Sequence, residues 1–200
     1  MGKKRRHRKG RVALGITAAV ILAGILAWFH GPPVPAAPGP FISAGQAKAL
    51  AEKVIAAHSS NPPSSGKGWN RHTRITYLQP EYDLAGNVVA YDCRVETESR
   101  PAGSVFVLTQ GKGSVHVVSF EGEAHCDRKA QTAFGRDAKE GDHIVNAAQC
   151  GYDIAFKNKD GTYTVAQMGG GPKILSERSF LWAAWWDRSN PLRGYFSKSS

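Results

Sequence analysis

Three cysteines in 200 residues are too few for a dense disulfide framework, so the chain needs a conventional apolar core. No internal repeat occurs, which removes solenoids and propellers. Phosphate-loop chemistry is also missing. The segment "SSGKG" lacks the leading glycine of such a loop, because Asn61 stands there. Acidic residues are scarce, 16 against 26 basic ones, for a formal net charge of +10 and an isoelectric point near 9.7. A balance of that kind suggests nucleic acid until the charge is located. Lys3, Lys4, Arg5, Arg6, Arg8, Lys9 and Arg11 carry seven of the ten, which leaves the rest of the chain only weakly basic. No nucleic-acid partner is expected.

There is one long apolar run. Val12–Phe29, "VALGITAAVILAGILAWF", is uncharged and follows the basic tail directly. A span needs roughly 17–25 apolar residues, and flanking basic residues stay on the cytoplasmic side. The sequence therefore predicts a basic cytoplasmic tail at 1–11 and a transmembrane signal-anchor helix at 12–30. A single-pass protein of a bacterial cell membrane results, with its N-terminus inside and its C-terminal domain outside. The lipid bilayer is its first partner, through residues 12–30. A cleaved signal peptide is the alternative, with "VPAA" at Val34–Ala37 as the cleavage region, and it exports the body of the chain equally. Proline crowds 31–42, which predicts a stiff extended linker.

An α+β domain is expected over 43–200, with an antiparallel sheet between N-terminal and C-terminal helices. Ser43 is an N-cap candidate, and Ala47, Leu50, Ala51, Val54 and Ile55 form one helical stripe. Strands are expected at Ile75–Leu78, Val88–Val95, Ser104–Thr109 and Val115–Phe120. In the second of these, Val89, Tyr91, Cys93 and Val95 share one face, with Asp92 and Arg94 on the other. Residues 121–149 read as polar and mixed. Tyr152–Lys157 and Thr162–Met168 flank a turn at Asp160-Gly161. Ser176 is placed to cap a last helix.

That last helix is rich in tryptophan. Its Leu181/Trp185 face is expected against the sheet. Two readings stand for the rest of it: a core helix laid across the sheet, or a contact surface of Trp182 and Trp186, flanked by Arg178 and Arg188, for a protein partner or the outer leaflet, since Trp joins an apolar body to a polar N–H.

Tyr82-Asp83-Leu84-x-Gly86 at a turn, Val89-Ala90-Tyr91 opening a strand, Ala102-Gly103 before the next and Phe120-Glu121-Gly122 after a third form a pattern. With the Ala-rich helix upstream, residues 44–124 resemble the propeptide (Spi-type) module that precedes streptopain-like secreted cysteine peptidases. The resemblance implies a small α+β unit able to mask a peptidase cleft. Ser104 departs from it, standing where a Tyr is common.

No peptidase follows. Gln149 is adjacent to Cys150, the next residues read as a hairpin, and no histidine occurs after His143. A nucleophilic thiol needs a base in hydrogen-bond reach, and only His143 is a candidate. Cys126 and Cys150 lie in a polar, Gly-containing region and are expected to form a disulfide worth roughly 3 kcal/mol. Cys93 is expected to be a buried core thiol. His125, Cys126, Asp127, His143 and Cys150 include metal-ligand types, but their spacing fits no common zinc pattern. Glu121 and Glu123 would share a strand face and solvate an edge.

These readings give no catalytic, cofactor or metal site. The expected function is a membrane-anchored, extracytoplasmic, non-catalytic binding module that regulates or inhibits a cysteine peptidase. The alternatives are a structural envelope protein and a thiol-dependent enzyme. The protein partner is accordingly a peptidase or an envelope protein.

Overall fold

The computed structural model describes residues 19–25, 32, 34, 36–60, 68–146, 154–165 and 171–189. Residues 19–25 are helical (α1). No helix among the described residues is long and apolar enough to cross a membrane. The basic tail and the remainder of the expected span lie outside the described residues.

From residue 34 onward the chain is α+β, and its described residues form eight strands in one sheet, ordered β4-β3-β2-β1-β5-β6-β7-β8. The strands are β1 Thr73–Tyr82, β2 Val88–Thr97, β3 Arg100–Leu108, β4 Ser114–Ser119, β5 His143–Asn146, β6 Ile154–Lys157, β7 Tyr163–Val165 and β8 Lys173–Leu175. Every pairing is antiparallel except β1 with β5, which run parallel. The helices are α2 Ala44–Ser60, α3 His125–Phe134 and α4 Glu177–Ser189.

Helix α2 begins where the sequence predicts. Ser43 Oγ accepts from Gln46 N at 3.3 Å, and Gln46 Oε1 accepts from Ser43 N at 2.9 Å, a reciprocal cap. Its stripe buries Ala47, Ala51 and Ile55 against Cys93, Val95, Val105 and Val107 of β2 and β3. Cys93 is therefore a core residue of this face. Trp69 closes the end of that core, 1% exposed, and donates from Nε1 to the Ala102 carbonyl at 2.7 Å.

The expected linker ends earlier than 42. Residues 36–42 lie against the domain instead of standing off it. Ala37 N donates to Asp83 Oδ2 (2.8 Å), Gly111 N to Pro40 O (2.8 Å) and Ile42 N to Thr109 O (2.8 Å). Backbone donors and acceptors here find fixed partners at the two hairpin turns, which proline content alone does not reveal.

Asp83 is the hub of the first of those turns. Its Oδ1 accepts from Ala85 N and Asn87 N, and its Oδ2 from Asn87 Nδ2 as well as Ala37. Gly86 supplies the positive φ of 88° that the turn requires. Burial opposes ionisation of Asp83, yet these hydrogen bonds outweigh it and hold its carboxyl below the usual value. A depressed carboxyl contributes stability above its unfolded value and loses it as pH falls through the folded one. Asp83→Ala should cost about 2–4 kcal/mol in urea melts at neutral pH, since its hydrogen bonds are to a charged group. The gap from wild type should narrow as pH falls through the acidic range. A gap that is flat with pH would show that the turn does not depend on the carboxylate.

Candidate functional site

The other face of β2 carries Asp92 and Arg94, as the alternation predicts. Helix α3 lies against it, and Asp92 is completely buried. Residues 121–149, polar and mixed in sequence, contain both α3 and β5. Cys126, Ala130 and Ala138 pack with Ile144, Ile154 and Phe156 to make a second core. Glu121 and Glu123 lie beyond the end of β4, exposed on either side of the Gly122 bridge, so they do not share a strand face.

The polar groups of this face fasten α3. No side chain caps its first turn locally. Instead Asp92 Oδ2 reaches across from β2 and accepts from Cys126 N at 2.8 Å. One turn end is thus capped by a residue 34 positions earlier. Arg94 donates to Asp127 Oδ1 at 2.6 Å and to the Ala138 carbonyl, and the same Asp127 oxygen accepts from Ala138 N at 3.0 Å. Gly135 ends the helix in the left-handed region, φ 65°.

Between α3 and the sheet, toward β4, a recess of about 450 Å³ remains open. This lies within the usual range of small-ligand pockets, roughly 300–1,000 Å³. Alternation along β3 turns Ser104, Phe106 and Leu108 toward it, while Val105 and Val107 face the α2 core. Glu81 of β1 lines it with 0% exposure, and Asn146 of β5 donates to Glu81 Oε2 at 2.9 Å. Ile154 adds an apolar wall. His116 of β4 and His125 and Arg128 of α3 line the remainder, with His116 and Arg128 exposed. A carboxylate is therefore enclosed in a partly apolar recess whose open side carries a guanidinium.

The thiols are placed differently. Cys93 and Cys126 are free and buried, on opposite sheet faces. Burial pushes the Cys93 thiol up to about 12 and raises Cys126 further, with Asp92 next to both adding to the effect. Neither is poised as a nucleophile. Cys150, the expected disulfide partner of Cys126, lies outside the described residues. His143 stacks on Tyr82 (centroids 4.3 Å apart), and burial lowers its pKa. No group of three metal-ligand side chains occurs among the described residues.

On the far half of the sheet, α4 starts under a Ser176 cap, with Ser179 N donating to Ser176 Oγ at 3.2 Å. Phe180 is fully buried and stacks on Tyr163 at 4.2 Å. Leu181 and Trp182 are both half-buried and Arg178 is exposed. The helix is thus anchored by Phe180, one position before the leucine expected to face the sheet. Trp185, Trp186 and Arg188 belong to α4, but their side chains lie outside the described residues.

The sequence reading missed the recess. The polar face beside it is written in β1 and β2 as Gln79, Glu81, Asp92 and Arg94 at alternate positions, of which Glu81 lines the recess. Two neighbouring strands with charge at every second residue signal a shared polar face. What covers that face had no comparable signal.

The chain matches no protein-family model, no curated protein and no solved structure.

Proposed function

We propose that the chain is a membrane-tethered, extracytoplasmic binding module that performs no chemistry itself. The observation that carries the binding reading is the recess between α3 and the sheet, with an enclosed carboxylate and a guanidinium at its open side. Two further features support the non-catalytic part. The described thiols are sealed in the two cores, and Ser119 on the recess wall donates to the Glu121 carbonyl at 3.1 Å. The tether and the outside placement rest on the basic tail and the apolar run that follows it.

The partner class, a streptopain-like cysteine peptidase, follows from the propeptide resemblance. Helix α2 and β1–β4, which that resemblance spans, pack as a helix on a four-stranded antiparallel sheet with a core of their own. This agrees with the small α+β unit the resemblance implies.

Titrating the detergent-solubilised full chain into a streptopain-like peptidase tests the reading. Residual activity should fall with a micromolar or tighter inhibition constant, and the chain alone should cleave nothing. An undiminished peptidase with no complex formed removes the peptidase partner. Proteolysis by the chain alone removes the non-catalytic reading. A reporter that works only outside the cytoplasm, fused after Ser200, should be active.

A further inference from the structure

We infer that the recess binds a monocarboxylate with an apolar tail, the tail inward and the carboxylate at the open side. The inference deepens the binding-module reading and rests on it. It follows from which lining groups are already engaged. Glu81 has no exposed surface and accepts from Asn146, so it closes the recess and is not offered to a ligand. The Ser119 hydroxyl is spent on the Glu121 carbonyl. Arg128 is different. It is exposed, and among the described residues no carboxylate pairs with its guanidinium. The hydroxyl of Ser104, a residue only 5% exposed, also has no hydrogen-bond partner among the described residues. A guanidinium only donates and an ionised carboxylate only accepts, so the fork of the first matches the two oxygens of the second.

The rest of the lining suits a tail. Phe106 and Leu108 of β3 and Ile154 of β6 are apolar, and His116 meets the Phe106 ring edge-on, centroids 6.5 Å apart. Such a surface gains from burying hydrocarbon and gains nothing from a bare inorganic anion. An ammonium head group does not fit, because the one carboxylate among the described lining residues is closed and the exposed charge is positive. The charge of Glu81 on the enclosed side also keeps a ligand's carboxylate outward, toward Arg128. At about 450 Å³ the recess has the size of a small-ligand site and suits one short chain, not a two-chain lipid.

Calorimetric titration of the full chain in lipid nanodiscs, with empty nanodiscs as the blank, tests this with octanoate, octanol and octylammonium. Octanoate should bind more tightly than octanol by roughly two- to five-fold, the worth of one exposed ion pair, and octylammonium should bind most weakly. Arg128→Ala lies on an exposed position. It should remove the advantage of the acid and leave octanol unchanged. Ser104→Leu puts a larger apolar side chain into the recess. It should weaken octanoate and octanol alike by about ten-fold or more, and its melting curve shows whether it is folded. If it is not, the comparison of acid with alcohol in the wild-type chain and in Arg128→Ala still decides. Octanol or octylammonium binding as tightly as octanoate, an acid preference that survives Arg128→Ala, or no binding of octanoate overturns the inference. So does undiminished octanoate binding by folded Ser104→Leu. Peptidase inhibition that persists in those cases leaves the binding-module reading standing, so the two failures are distinguishable.

Discussion

Gly103→Ala is expected to destabilise the domain by roughly 3–5 kcal/mol, or to prevent its folding. Gly103 sits at φ 103°, a conformation that costs a side-chain-bearing residue about 1–3 kcal/mol. An added Cβ would stand 1.9 Å from the Ser119 carbonyl oxygen and 2.6 Å from its carbon. Those are backbone atoms, so the chain leaving β4 would have to move bodily. That chain is held where it is by pairing: Gly103 N donates to Gly122 O at 2.9 Å, and Ala102 bridges Gly122. The neighbouring Trp69 indole depends on the same segment through the Ala102 carbonyl. Gly86→Ala is the control. It has φ 88° but open space around its Cβ position, so only the conformational cost of about 1–3 kcal/mol applies. Urea melts followed by tryptophan fluorescence compare the two. Equal losses would mean that close approach at Gly103 adds nothing.

Elements that carry their own signal were legible in the sequence. The α2 stripe, the Ser43 cap and the alternation of β2 fix the first core, because period and cap are local properties. The second core was not. Helix α3 takes its N-terminal cap from Asp92 on β2, so no Ser, Thr, Asp or Asn announces its start at Ala124. Strands β5 and β8 have four and three residues, too short for alternation to be distinguished from loop. Strand β8 also presents Ile174 72% exposed, the reverse of a core signal. The recess depends on all of this. Glu81, His116, His125 and Arg128 come from β1, β4 and α3, and only the placement of α3 brings them to one space. Charge at Asp92 and Arg94 marks the second face of β2 but does not say what covers it. Cys126, by contrast, reads as a disulfide half-cystine because its surroundings are polar in sequence. In space it sits in an apolar core.

Arg94→Ala should cost about 3–5 kcal/mol at neutral pH, because it leaves Asp127 buried without its cation. The side chains of Arg94 and Asp127 are 24% and 9% exposed, so solvent replaces little of the interaction. Their protonation is asymmetric. Burial works against the charge of Arg94, but Asp127 outweighs it and keeps the guanidinium more basic than usual. Burial also dominates at Asp127, and there Arg94 does not fully compensate, so the carboxyl stays harder to ionise than an ordinary aspartate. The sign of the pH effect follows. A carboxyl raised on folding favours the native state when protonated, and that contribution is lost as pH rises through the folded value. Without Arg94 the carboxyl is raised further. The cost of Arg94→Ala should therefore shrink as pH falls through the acidic range and Asp127 becomes neutral, leaving the lost bond to the Ala138 carbonyl. Replacing both residues together, Arg94→Met with Asp127→Leu, should recover most of the stability, because neither desolvated charge then remains. Denaturant melts of both variants between acidic and neutral pH provide the measurement. A double variant as unstable as Arg94→Ala would mean that the polar bonds, not the buried charge, fix α3 to the sheet.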